Sequence, residues 1–111
     1  MKPLESGGSN CSAEEITINS QGKIVAPSPT IAKITLGGTS GAWTLYDGSY
    51  YLYAAGNTNT DNKQNYLKGT SDLGTGDDAA KYKASITISN YKATITFGGT
   101  AVSKVVKYNS S

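Results

Sequence analysis

Residues 83–97, KASITISNYKATITF, read as two β-strands joined by a tight turn. In the first run Ala84, Ile86 and Ile88 fall on one face and Ser85, Thr87 and Ser89 on the other. In the second, Ala93, Ile95 and Phe97 alternate with Thr94 and Thr96. A period of two is the signature of a pleated strand with one face toward a core. Between the runs, Asn90 tolerates the left-handed backbone that short hairpin loops need.

The same alternation extends upstream. The runs AWTLY and SYYLYAA flank Asp47-Gly48, a strong hairpin signal because both residues accept positive φ. The second run is apolar on both faces, with Tyr50, Leu52 and Ala54 on one and Tyr51, Tyr53 and Ala55 on the other, which predicts a central or doubly covered strand. Further back, EITI offers Ile16 and Ile18. The run IAKITL offers Ala32, Ile34 and Leu36 on one face, and Pro27-Ser28-Pro29 between the two runs marks a bend. Gly37-Gly38 predicts a turn.

Residues 56–64 and 69–80 are polar and predict loops, NYLK between them a short strand, and AVSKVVKY after Gly98-Gly99 the last strand. The echo between ITLGGTSGAW and ITFGGTAVSK hints at an internal duplication. No apolar stripe of helical period runs through the chain, so little or no helix is expected. The expected fold is all-β, a single β-sandwich or small barrel of about eight antiparallel strands.

A chain of 111 residues with 37% hydrophobic content suits one domain with one modest core. Residues 1–13 read as a flexible leader or boundary segment, and residues 14–109 as the domain. Only 16% of residues are charged, below the ~25% usual for soluble domains, which points to a secreted or cell-surface protein. The sequence contains no apolar export segment and no transmembrane run, so an exported form would have lost its signal or belong to a longer protein. All ten basic residues are lysines, spread along the chain, and the net charge is +2. Nucleic-acid binders gather basic groups on one face and use the arginine fork, so no nucleic-acid partner is expected. Lysines scattered over strands more often guard exposed edges against aggregation.

The chemical inventory is narrow. Histidine is absent, which removes the commonest general base and metal ligand. The one cysteine, Cys11, lies in a glycine- and serine-rich context, so neither a disulfide nor a thiolate metal site is expected. Eight carboxylates remain, most in turns and loops. A glycosidase pair needs one carboxyl in apolar surroundings and both held rigidly, so a carboxylate-based glycoside hydrolase fragment is a distant alternative and no enzyme is expected. Asn57, Asn59 and Asp61 alternate as weak candidates for a hard cation. Their spacing does not fit an EF-hand loop, and short polar residues simply solvating a loop is the favoured reading. No cofactor is implied.

Residues 42–67 hold the only tryptophan and five of the eight tyrosines beside a run of Asn, Thr and Asp. Such rings can stack on sugar faces or contact a protein while the polar groups supply hydrogen bonds, or they can pave a half-buried sheet face. The candidate ligand-binding residues are Trp43, Tyr50, Tyr51, Tyr53, Asn65 and Tyr66, with burial in the core the competing reading for Trp43 above all.

Trp43 with Asp47, Tyr50 to Ala55, Asn65 to Leu67, Ala93 to Ile95, and Tyr108 with Asn109 follow the order W-x-L-x-D, Y-Y-L-Y-A-A, N-Y-L, A-T-I and [RK]-Y-N. This order resembles an all-β accessory module of secreted and surface-anchored proteins of gut Bacteroidetes. The matching elements span about two thirds of the chain, with Lys107 where that pattern usually carries arginine and without the further strand that commonly follows. The resemblance implies an exported accessory or adhesive domain and no defined activity. Two functions are therefore expected, in order: a noncatalytic module binding glycan or a surface protein through the aromatic region, and a structural subunit, of a phage or surface layer, that self-assembles through its edge strands.

Overall fold

The computed structural model describes residues 1–2, 4–12, 17–21, 24–25, 31–58, 66–74, 76–90 and 92–107. The chain is mostly β, with an antiparallel sheet curled into a half-barrel. The strands are β1 (Thr17–Ile18), β2 (Ile24–Val25), β3 (Thr35–Thr39), β4 (Ala42–Tyr46), β5 (Tyr51–Ala54), β6 (Leu67–Thr70), β7 (Ala84–Ser89) and β8 (Lys92–Phe97). A 3-10 helix, Gly76–Tyr82, lies between β6 and β7. It falls in the segment expected to be a polar loop.

The β7–β8 hairpin forms in the expected register, from Ala84 opposite Phe97 to Ser89 opposite Lys92, and Asn90 has φ 51° at the turn. Its two ends differ in environment. Ala84 and Phe97 are buried, whereas Ile88 is 75% exposed and Ala93 is exposed, so the distal half projects from the body. The alternation that predicts an inward face thus holds only for the proximal half.

The β4–β5 hairpin also forms, with Tyr46 opposite Tyr51. Its turn is organised by Asp47, whose N–H donates to the Tyr50 carbonyl (3.0 Å) and whose Oδ1 accepts from the N–H groups of Ser49 (2.9 Å) and Tyr50 (2.8 Å). Gly37-Gly38 is not a turn. Both glycines lie inside β3, which pairs along its whole length with β4, and Ser40-Gly41 makes the turn two residues later. Gly38 has φ 83°, and a Cβ there would lie 2.7 Å from the Ala42 carbonyl oxygen, so this strand position demands glycine. The second glycine pair sits in the bend after β8, so the two echoing segments play different parts. Leu36, expected to point inward, is 46% exposed because β3 is an edge strand at the rim.

The six-stranded sheet runs β6-β5-β4-β7-β8, with β3 added on β4. Since β3 occupies one whole edge of β4, β5 and β7 share the other: Tyr46 meets Tyr51 near one end and Trp43 meets Ala84 near the other. The two strands diverge from that edge. The 3-10 helix packs against β5 there, and the Val102 N–H donates to the Asn57 carbonyl (2.9 Å), tying the chain after β8 to the chain after β5. The expected last strand, 101–108, is reduced over its described residues to one bridge between Thr96 and Val105. Ala101 turns into the core instead, so the chain rejoins β8 only where Phe97 N–H donates to the Lys104 carbonyl and Val106 N–H to the Ile95 carbonyl.

The core consists of Leu4, Leu45, Leu52, Ala54, Ala84, Phe97 and Ala101, with Trp43, Tyr50, Ile34, Leu67, Ile95, Val106, Met1 and Cys11 packed around it. Residues 1–12, expected to lie outside the domain, belong to it over their described length. Leu4 is 7% exposed and its N–H donates to Asp47 Oδ2 (3.3 Å). The Ser9 carbonyl accepts from the Leu67 N–H (2.7 Å), and the Met1 carbonyl from the Ala32 N–H (2.9 Å). The core side of β5–β6 is short of bulk because Gly69 lies opposite Leu52, and Leu4 fills that gap.

Candidate functional site

Register assigns the aromatic residues to faces. Trp43 pairs with Ala84, which pairs with Phe97, so Trp43 lies on the core side and packs there, half-buried. Tyr50 also packs on the core, against Gly69. Tyr46, Tyr51 and Tyr53 alternate with Leu45, Leu52 and Ala54 and so occupy the opposite face, each half-buried. Across β6, Lys68 stands opposite Tyr53 and Thr70 opposite Tyr51 on that same face.

These rings form two contacts. Tyr46 and Tyr51 lie 4.9 Å apart between centroids, tilted by 49°, a cross-strand pair fixed by the β4–β5 turn. The Tyr46 hydroxyl donates to the Gly48 carbonyl (3.1 Å). Further along β5, Tyr53 meets Tyr82 of the 3-10 helix edge to face at 5.1 Å. Rings in this geometry gain about 0.5–1.5 kcal/mol beyond burial and hold one another in place. Lys81 lies over both Tyr53 (5.4 Å) and Tyr82 (5.2 Å), and Lys68 over Tyr66 (5.5 Å).

At the end of β5 these groups border an open cleft of ≈ 310 Å³, lined by Tyr53, Ala54, Ala55 and Gly56 on one side and by Lys68, Lys81, Thr100 and Ala101 on the others. It sits where β5 has left β7. The aromatic row and the cleft are contiguous through Tyr53.

Of the residues expected to bind, Tyr51 and Tyr53 share this face, Tyr66 is exposed beside Lys68, and Trp43 and Tyr50 stand on the core side. Asn65, Asn59 and Asp61 lie outside the described residues. Asn57 is half-buried and uses its carbonyl to hold Val102. Among the described residues no three His, Cys, Asp or Glu side chains gather to hold a metal ion. Burial pushes the Cys11 thiol above its ordinary pKa, and the Asp47 carboxylate adds to the shift, which keeps the sulfur in its unreactive protonated form near neutrality.

Tyr46, Tyr82, Lys68 and Lys81 are members that sequence reasoning missed. Tyr46 was within reach, since it alternates with Leu45 and stands across the Asp47-Gly48 turn from Tyr51. Tyr82 and Lys81 carry no such signal, because their position depends on a 3-10 helix in a polar segment without periodicity. The chain matches no family model, no curated protein sequence and no solved structure.

Proposed function

We propose that this protein is a noncatalytic, secreted or cell-surface module that binds glycan through its tyrosine face, an accessory domain of the kind its sequence pattern resembles. The observation that carries this reading is the row Tyr46, Tyr51, Tyr53 and Tyr82 on the sheet face turned away from the core, half-exposed and held by ring–ring contacts. The core does not use these rings. Rigid aromatic faces with threonines and lysines around them supply stacking and hydrogen bonding with little ordering cost on binding.

Tyr51→Ala tests it. Binding to a panel of surface polysaccharides, followed by affinity electrophoresis, is expected to fall at least tenfold, equivalent to about 1.4 kcal/mol, while the urea midpoint falls only by what the lost Tyr46 contact and half-buried ring are worth and the chain stays folded. Trp43→Phe, on the core side, is expected to leave binding unchanged. Retention by no polysaccharide in the panel, or equal retention of Tyr51→Ala, would sink the proposal.

Self-assembly is the second reading, and the projecting β7–β8 hairpin favours it. Ile88 is 75% exposed there, and among the described strands no partner pairs with β7 beyond Ala84 on its outer edge. A molecular mass that rises with concentration in light scattering, and reverts in Ile88→Lys, would support assembly. A constant monomer mass would exclude it.

A further inference from the structure

We infer that the cleft at the end of β5 binds an acidic saccharide, its carboxylate or sulfate group held by Lys68 and Lys81; this rests on the glycan-binding reading and specifies its ligand class. The two lysines reach the cleft from different elements, Lys68 from β6 and Lys81 from the 3-10 helix. Each ammonium is seated on aromatic rings, Lys81 on two and Lys68 on one. That seating fixes long side chains that otherwise lose rotamer freedom when they bind, so the cations are placed in advance.

Among the described residues no acidic side chain lines the cleft and neither lysine forms an ion pair. Two like charges brought to one concave site repel each other and attract an anion. The remaining lining is small, from Ala54, Ala55, Gly56 and Ala101, with Thr100 beside them. At ≈ 310 Å³ the cleft stands at the low end of the ~300–1,000 Å³ usual for ligand sites, room for about one or two sugar rings. A sugar ring against the small residues and Tyr53, with its acidic substituent toward the ammoniums, satisfies both parts of the site. A lysine ammonium meets carboxylate or sulfate as a point charge and does not choose between them by geometry.

The test uses the full chain and four probes in calorimetric titration: hexagalacturonate and its methyl ester, and a sulfated galactan hexasaccharide and its desulfated form. The expected result is that at least one charged probe binds about tenfold or more tighter than its neutral counterpart, with the gap narrowing in high salt. The pair that shows the gap identifies carboxylate or sulfate. Lys68→Gln and Lys81→Gln are each expected to weaken the charged probe severalfold and the neutral one much less, and Lys81→Arg to retain binding. Equal binding of charged and neutral forms would overturn the inference and leave the glycan-binding reading standing. A single-stranded DNA hexamer that competes as well as the saccharide would also overturn it, by making the site a general polyanion contact. If all four probes fail while Tyr51→Ala still abolishes retention by another polysaccharide, only this inference fails; if no polysaccharide is retained at all, the broader reading fails with it.

Discussion

Both carboxylate oxygens of Asp47 are committed to backbone donors: Oδ1 to Ser49 and Tyr50, Oδ2 to Leu4. Asp47 is 8% exposed; its bond to the Leu4 N–H is buried, and those to Ser49 and Tyr50 are half-buried. One side chain therefore shapes the turn that sets Tyr46 against Tyr51 and also pins the N-terminal segment. Replacement by Ala is expected to cost about 2–4 kcal/mol in urea unfolding: hydrogen bonds to a charged acceptor are worth ~1.5–3 kcal/mol each, and water partly replaces the acceptor at the two half-buried donors, Ser49 and Tyr50. Asp47→Asn keeps the acceptor toward Ser49 and Tyr50 but turns an N–H₂ donor toward the Leu4 donor, so an intermediate loss is expected. An Asp47→Ala midpoint equal to the parent's would show that the turn is held by Gly48 and strand pairing alone.

At the level of elements, the two hairpins were legible because each is local: alternating side chains on either side of a turn residue with the right φ. Asn90 at φ 51° is the clearest case. Asn90→Ala is expected to destabilise by about 1 kcal/mol, because a β-carbon penalises the left-handed region, and Asn90→Gly to be nearly neutral. A loss in Ala equal to that in Gly would mean that the Asn side chain, not the backbone angle, matters. What the sequence concealed depends on distant partners. The Gly37-Gly38 pair looks like a turn until Ser40-Gly41 supplies one, and residues 101–108 look like a strand, yet over the described ones only one bridge forms and Ala101 is drawn into the core. The 3-10 helix has no apolar period of its own. It is placed by contact with β5, and with it come Tyr82, edge to face on Tyr53, and Lys81, which lines the cleft.

For the molecule as a whole, residues 1–12 help, over their described length, to cover the core of the half-barrel. Composition marked them as a leader, since Gly, Ser and Asn dominate, yet one apolar residue among them, Leu4, reaches the core. Removing residues 1–12 would empty the Leu4 site beside Gly69, leave Asp47 Oδ2 without its donor, and strip the Ser9 carbonyl from Leu67. The cavity term alone is about 2–4 kcal/mol, a large fraction of the ~5–15 kcal/mol by which small domains are stable. The shortened chain is expected to unfold at a clearly lower urea concentration and to bind a hydrophobic dye. Trp43, the sole tryptophan and packed on the same core, is expected to emit further to the red than in the full chain. Leu4→Ala alone should reproduce most of the loss in stability with little change in the strand signal. An unchanged midpoint and an unchanged Trp43 spectrum in the shortened chain would return residues 1–12 to the role of a leader and require the core to close without Leu4.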